Sequence, residues 1–184
     1  RAGGNKIVEI DGRPAWEAWA AALDLPCSAG LGEVGLAPLM RDLPLDLEEE
    51  YGSKHILVVY SGSPAGDGTI RSNVTCPEGT RLRLSRRDEK AIFEGAERMA
   101  KRLAGRCRGR RVLAVFQADC NARGRMLFNQ VRKEEIESLI QAPFTARGDV
   151  PWLGMYGGGE FCPLGGRNTV HAFTSALGVI LRSV

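Results

Sequence analysis

Val112-Leu113-Ala114-Val115-Phe116, running on through Gln117-Ala118 into Asp119-Cys120-Asn121-Ala122-Arg123, is the stretch from which the architecture of this chain is best built. A run of apolar, largely β-favouring residues behind a basic linker reads as a central strand, and it ends abruptly in an acid, a thiol and a cation. A second stretch answers it. From Pro151 to Thr174 the chain reads PWLGMYGGGEFCPLGGRNTVHAFT, an apolar segment that stops at Gly157-Gly158-Gly159 and Glu160. Glycines without side chains let a backbone or a ligand approach closely, and Glu160 supplies the nearest charge. Function is expected where these two segments meet.

Outward from the central strand, Asp88 reads as a helix N-cap, with Ile92, Phe93, Ala96, Met99, Ala100 and Leu103 on one face of the following helix. A second helix is predicted across Val131 to Ile140, with Val131, Ile136, Leu139 and Ile140 as its apolar stripe. At the start, Lys6 to Ile10 alternates into the turn signal Asp11-Gly12, and Pro14 opens a helix striped by Trp16, Trp19, Ala20 and Leu23. Pro26 to Glu50 reads as loops plus a short helical turn. Ile56 to Tyr60 reads as a buried strand, and Thr69 to Val74 and Thr80 to Ser85 as neighbouring antiparallel strands. Trp152 to Tyr156 and His171 to Leu181 are the last two strand candidates. Strands and helices that alternate only in part predict an α/β fold in the broad (α+β) sense: a mixed, mostly antiparallel sheet covered by helices, in a single domain over residues 1–184.

Composition narrows the function classes. A chain of 184 residues, 43% hydrophobic, can bury a substantial core, and a net charge of +3 is too small to argue for nucleic acid. The basic stretches Arg81 to Arg87 and Lys101 to Arg111 lack the aromatic interleaving of a single-strand binder and read as solvated faces. No apolar run has the length of a membrane span, and the opening Arg1-Ala-Gly-Gly reads as a cut from a longer polypeptide. Cysteines at 27, 76, 107, 120 and 162 are odd in number and scattered, which suits free thiols in a reducing cytoplasm.

The candidate ligand-binding residues are Cys120, Arg123, Gly158, Gly159 and Glu160. Arg123 and Arg125 lie close enough in sequence to lower the Cys120 pKa, but no histidine base is adjacent, so a contact or structural thiol is favoured over a nucleophile. Two roles are open to Arg123, a clamp on an anionic ligand or an ion pair to Glu160. The glycine run is either a strand bulge or a ligand-facing loop; it lacks the Lys-Ser or Lys-Thr ending of a phosphate loop. Glu160 has no paired carboxylate or nucleophile beside it in sequence, which favours binding over general-base catalysis. Irregular spacing of Cys120, Cys162 and His171 argues against a structural metal, and no cofactor is expected.

The chain resembles the C-terminal domain of FIST proteins, a family of intracellular signal-transduction sensors also found joined to F-box modules. The likeness is carried by IVEIDGRPAWEAW at Ile7 to Trp19, SRRD at Ser85 to Asp88, VFQADCNARGRMLF at Val115 to Phe128 and PWLGMYGGGEFCPLGG at Pro151 to Gly166. Cys120, Arg123, Gly159 and Glu160 match the family's motif positions, whereas Ala172 stands where the pattern favours asparagine. The resemblance implies a cytoplasmic, non-enzymatic ligand-sensing domain for a small polar or anionic molecule, amino acids among them. Its implied partners are a FIST N-terminal domain and a signalling output domain, with neither nucleic acid nor membrane. Alternatives are a haem-binding gas sensor using His171, His55 or a cysteine as axial ligand, and a Cys120-dependent enzyme.

Overall fold

The computed structural model describes residues 1–35, 37–43, 45–57, 60–61, 66–72, 75–146 and 148–183. The chain divides into two compact units, residues 1–87 with 163–171, and residues 88–162 with 172–184.

The first unit opens with β1 (Ala2–Gly3), β2 (Lys6–Ile7), β3 (Glu9–Ile10) and β4 (Arg13–Pro14). Asp11 and Gly12 turn the β3–β4 hairpin with φ of 51° and 75°, the left-handed pair that an Asp-Gly hairpin turn requires. Pro14 precedes α1 (Ala15–Ala21), which ends two residues short of the predicted stripe. Trp16 and Trp19 are each 1% exposed and meet edge to face at 5.6 Å. Their indole N–H groups donate to the Ala29 and Ala37 carbonyls, both at 3.2 Å, so these large side chains are buried without an orphaned donor.

The segment read as loops is more ordered than its prolines and acids suggest. It holds α2 (Leu31–Val34), β5 (Leu39–Asp42) and α3 (Leu45–Tyr51). β6 (His55–Leu57), β7 (Tyr60–Ser61), β8 (Ile70–Ser72) and β9 (Leu82–Leu84) follow. Residues 58–59 and 73–74 of the strands expected here lie outside the described residues. β8 and β9 do not pair with each other as expected; β8 lies between β2 and β7, and β9 pairs with β5.

The second unit begins with α4 (Glu89–Arg106), whose N-cap Asp88 accepts the Ala91 N–H at 2.9 Å, as its position predicts. β10 (Arg110–Cys120) is the expected central strand, longer than the apolar run alone. A five-residue π-helical turn, Asn121–Arg125, leads into β11 (Met126–Leu127) and β12 (Gln130–Val131). Val131 therefore sits on an exposed strand, and α5 (Lys133–Thr145) starts later and runs further than its predicted stripe. β13 (Trp152–Gly157), β14 (Glu160–Leu164), β15 (Arg167–His171) and β16 (Ser175–Ser183) complete the chain. The last predicted strand, His171 to Leu181, is thus divided: Phe173, at φ 55°, turns the chain between β15 and β16.

β10 runs between β13 and β16, parallel to the first and antiparallel to the second. α4 and α5 pack on one face of this sheet, where Ala96, Ala100, Val115, Ile136, Ile140 and Phe144 form the core. Gln117 on that face accepts the Trp152 indole N–H at 2.9 Å. The fold is α+β with several small, mostly antiparallel sheets, as expected in class, although among the described residues the strands form separate sheets rather than one. Among the described residues no helix is long and apolar enough to cross a membrane.

Candidate functional site at the end of the central strand

Parallel pairing brings the C-terminal ends of β10 and β13 to one edge, which is where the two segments singled out in the sequence meet. Asp119 is opposite Tyr156 and Cys120 opposite Gly157. On the other side Asp119 is opposite Ser175. Residues paired in register share a face, so Asp119, Tyr156 and Ser175 form one row. The Tyr156 hydroxyl is hydrogen-bonded to the Glu137 carboxylate, which assigns that row to the face under α5.

Asp119 is 1% exposed. One carboxylate oxygen, Oδ1, accepts the Ser175 hydroxyl, and Arg123 Nη1 lies 3.8 Å from it while donating to Ser175 Oγ at 2.9 Å. The serine is therefore the bridge between acid and cation. The π-helical turn places Arg123 four residues beyond Asp119 in reach of both. The other oxygen, Oδ2, has no hydrogen-bond partner among the described residues. It lies against Gly124, where a Cβ would sit 1.8 Å from Oδ2 and 2.9 Å from the Tyr156 ring, so only glycine fits. Burial pushes the Asp119 carboxyl above its ordinary value; Ser175 and Arg123 pull it back in part, and the Glu137 charge pushes the same way as burial.

Strand alternation turns Cys120 to the opposite face. Glu160, also 1% exposed, takes the Thr174 hydroxyl at 2.8 Å and the Thr174 N–H at 3.4 Å on Oε2, and its Oε1 is unpartnered among the described residues. Its carboxyl too is raised by burial, against hydrogen bonds from Thr174, with Asp119 raising and Arg123 lowering it further. Arg123 is ion-paired with Asp119 and Glu160 is anchored by Thr174, and the Arg123 charge acts on the Glu160 carboxyl through its field.

Cys120 is buried, and its thiol is pushed up by desolvation and by the Glu160 charge. That overturns the expectation that Arg123 and Arg125 would lower it. Gly157 is held close: a Cβ there would meet the Gly159 carbonyl oxygen at 3.2 Å. Gly158, at the bend between β13 and β14, faces open space.

The predicted site residues Cys120, Arg123, Gly158, Gly159 and Glu160 all fall in the second unit, around this strand end. His171 and His55 belong to the first unit, where His171 stacks on Tyr51 at 5.5 Å and His55 Nε2 lies 3.2 Å from Asp42. No group of three or more His, Cys, Asp or Glu among the described residues is arranged to hold a metal ion. Sequence reasoning left Asp119, Gly124, Thr174 and Ser175 off its site. The Asp-Cys-x-x-Arg-Gly spacing was on view, but a π-helical turn that folds position 123 back over 119 has no sequence signature of its own.

An α+β unit whose central parallel strands end in a buried, incompletely satisfied carboxylate cluster defines the class of module. The family comparison is specific. Residues 15–163 match the FIST C domain, and the chain belongs to that family, one of sensor-type domains in signal transduction. It is similar to two uncharacterised proteins, of Mycobacterium bovis and Mycobacterium tuberculosis, each 29% identical over 126 residues, covering 65% of this chain and 30% of the relative. The chain thus spans about a third of the length of these relatives. No solved structure matches it.

Proposed function

We propose that this chain is the ligand-binding sensory domain of a cytoplasmic signalling protein, and that it takes a small polar molecule with an anionic end at the close of β10. The observation that carries the reading is the pair of buried oxygens, Asp119 Oδ2 and Glu160 Oε1, without partners among the described residues, on two carboxyls that both feel the Arg123 charge. A buried acceptor left unmade costs about 1–3 kcal/mol, and a fold retains such groups where a ligand supplies the missing donors. A ligand with an ammonium or other donor end would satisfy the two carboxyls. Its carboxylate or comparable anion would be met by Arg123, whose planar fork suits that geometry. Gly158 leaves the bend beside Glu160 uncovered. Cys120 serves as a contact rather than a nucleophile, since its raised thiol disfavours the reactive form. The partners on this reading are the N-terminal domain of the same family and an output domain.

A thermal-shift screen of amino acids, organic acids and nucleotides tests the proposal, because a ligand that binds only the folded state raises its melting temperature. An amino acid or organic acid is expected to stabilise the wild type and to do so far less in Glu160→Gln, which keeps the size and the Thr174 contacts. Silence across the panel, or equal shifts in the variant, would refute the placement.

A further inference from the structure

The sheet of β13, β10 and β16 is covered by α4 and α5 on one face, and its other face is apolar as well. Strand alternation turns Val115 and Gln117 of β10 toward the helices, and Ala114, Phe116 and Ala118 to the other side. Register adds Ile180 opposite Ala114, Leu153 opposite Phe116 and Met155 opposite Ala118. A shift of register between Val112 and Ala114 puts Leu113 on this side too. Leu113, Phe116, Leu153, Met155 and Ile180 are each between 39% and 68% exposed. Exposed hydrophobics scattered singly are ordinary, but five sharing one face form a patch on the order of 500 Å², toward the upper end of what monomers expose.

This is not the composition of a wetted sheet. A face left to water reads polar where its reverse reads apolar, and parallel strands such as β10 and β13 are ordinarily covered on both sides. The face is also self-complementary in relief. Phe116 stands opposite Gly178 and between Ala114 and Ala118 along its own strand, and nothing lies within 4 Å of where a Gly178 Cβ would be. A ridge beside a hollow lets two copies interlock, each Phe116 seated over small residues of the other. Charge sets the direction. Arg111 and Arg182 oppose each other at the start of β10 on this same face, so a two-fold axis along the strands would stack four cations, whereas an axis across the strands sends the two pairs to opposite ends. Two such patches bury on the order of 1,000 Å², and the flanking alanines, Gly178 and arginine stems carry the total to the ~1,200 Å² at which specific interfaces begin. We propose that this face is the interface of a symmetric homodimer, two copies packed sheet on sheet with their strands antiparallel.

Sedimentation equilibrium of the chain from about 1 to 300 μM tests this. It is compared with Leu153→Lys/Met155→Lys and with a control, Leu45→Lys, which puts the same charge at an 85% exposed leucine of α3. An interface of this size is expected to give a reversible monomer–dimer equilibrium with a Kd of roughly 1–100 μM. The double variant should weaken it about tenfold or more, and the control leave it unchanged. Circular dichroism checks that each variant folds, and Phe116→Ala, which removes the ridge without adding charge, should also weaken association by about tenfold. Association unaltered in the variants, an equal loss in the control, or growth beyond a dimer would overturn the proposal. A wild type that stays monomeric throughout would overturn it too, and would assign the face to a different chain.

Discussion

Replacing Gly124 by alanine puts the geometry of the strand end to a quantitative test. The added Cβ would stand 1.8 Å from Asp119 Oδ2 and 2.9 Å from Tyr156 Cε1. A carbon and an oxygen in contact sit roughly 3.3 Å apart, so the carboxylate must withdraw by about 1.5 Å. Asp119 is held on its other oxygen by Ser175 and Arg123, and a movement of that size breaks the hydrogen bond, worth about 1 kcal/mol. Overpacking adds about 1–3 kcal/mol, and the better backbone propensity of alanine returns less than about 1 kcal/mol. The net expectation is a loss of about 2–3 kcal/mol, read by urea unfolding followed by far-ultraviolet circular dichroism, with the slope unchanged. In an Asp119→Ala background the obstructing oxygen is gone. There Gly124→Ala should cost about 1 kcal/mol or less, giving a coupling of about 1–2 kcal/mol. Equal costs in the two backgrounds, or a cost below about 0.5 kcal/mol in the wild type, would refute the claim that the carboxylate is packed on Gly124.

Two other expectations follow from the same cluster. Asp119 and Glu160 are raised by burial, so between the ordinary carboxyl value and their raised ones the native state holds more protons than the unfolded chain, and their contribution to stability is full below that window and lost as pH rises through it. Glu160→Gln and Asp119→Asn should therefore gain on the wild type as pH rises from about 4 to 8, by about 1.4 kcal/mol for each pH unit by which the carboxyl is raised. A flat or falling difference in thermal stability with pH would contradict this. Cys120, buried and raised by its surroundings, should be alkylated by iodoacetamide at pH 7 at least about tenfold more slowly than exposed Cys27, as read by peptide mass spectrometry. Faster labelling of Cys120 would restore the nucleophile reading.

What the sequence made legible follows from local physics. The α4 cap at Asp88, the α1 stripe of Trp16 and Trp19 and the Asp11-Gly12 turn depend on neighbours within a few residues, and all are found. The meeting of the two site segments was legible because each ends an apolar strand in chemistry. Pairing was harder. β8 and β9 look like partners in sequence yet join different sheets, since pairing is chosen by what else is available to bury each strand. β14 was missed because Pro163 and the Glu160 charge mask a short strand, and His171 to Leu181 concealed a turn at Phe173 in a residue type that rarely adopts positive φ. At the site, two roles were open to Arg123 in the sequence, a ligand clamp or an ion pair to Glu160, and the π-helical turn adds contacts with Asp119 and Ser175 that the local sequence did not announce.

The central claim is that a small polar ligand completes the carboxyls at the end of β10. Two-dimensional amide NMR of the chain, titrated with the amino acid or organic acid that most raises its melting temperature, tests it most directly. The account predicts shifts that saturate and concentrate at Asp119 to Gly124, Gly157 to Glu160 and Thr174 to Ser175, and that vanish in Arg123→Ala. Saturating shifts centred elsewhere in the chain, or the same shifts in Arg123→Ala, would contradict it.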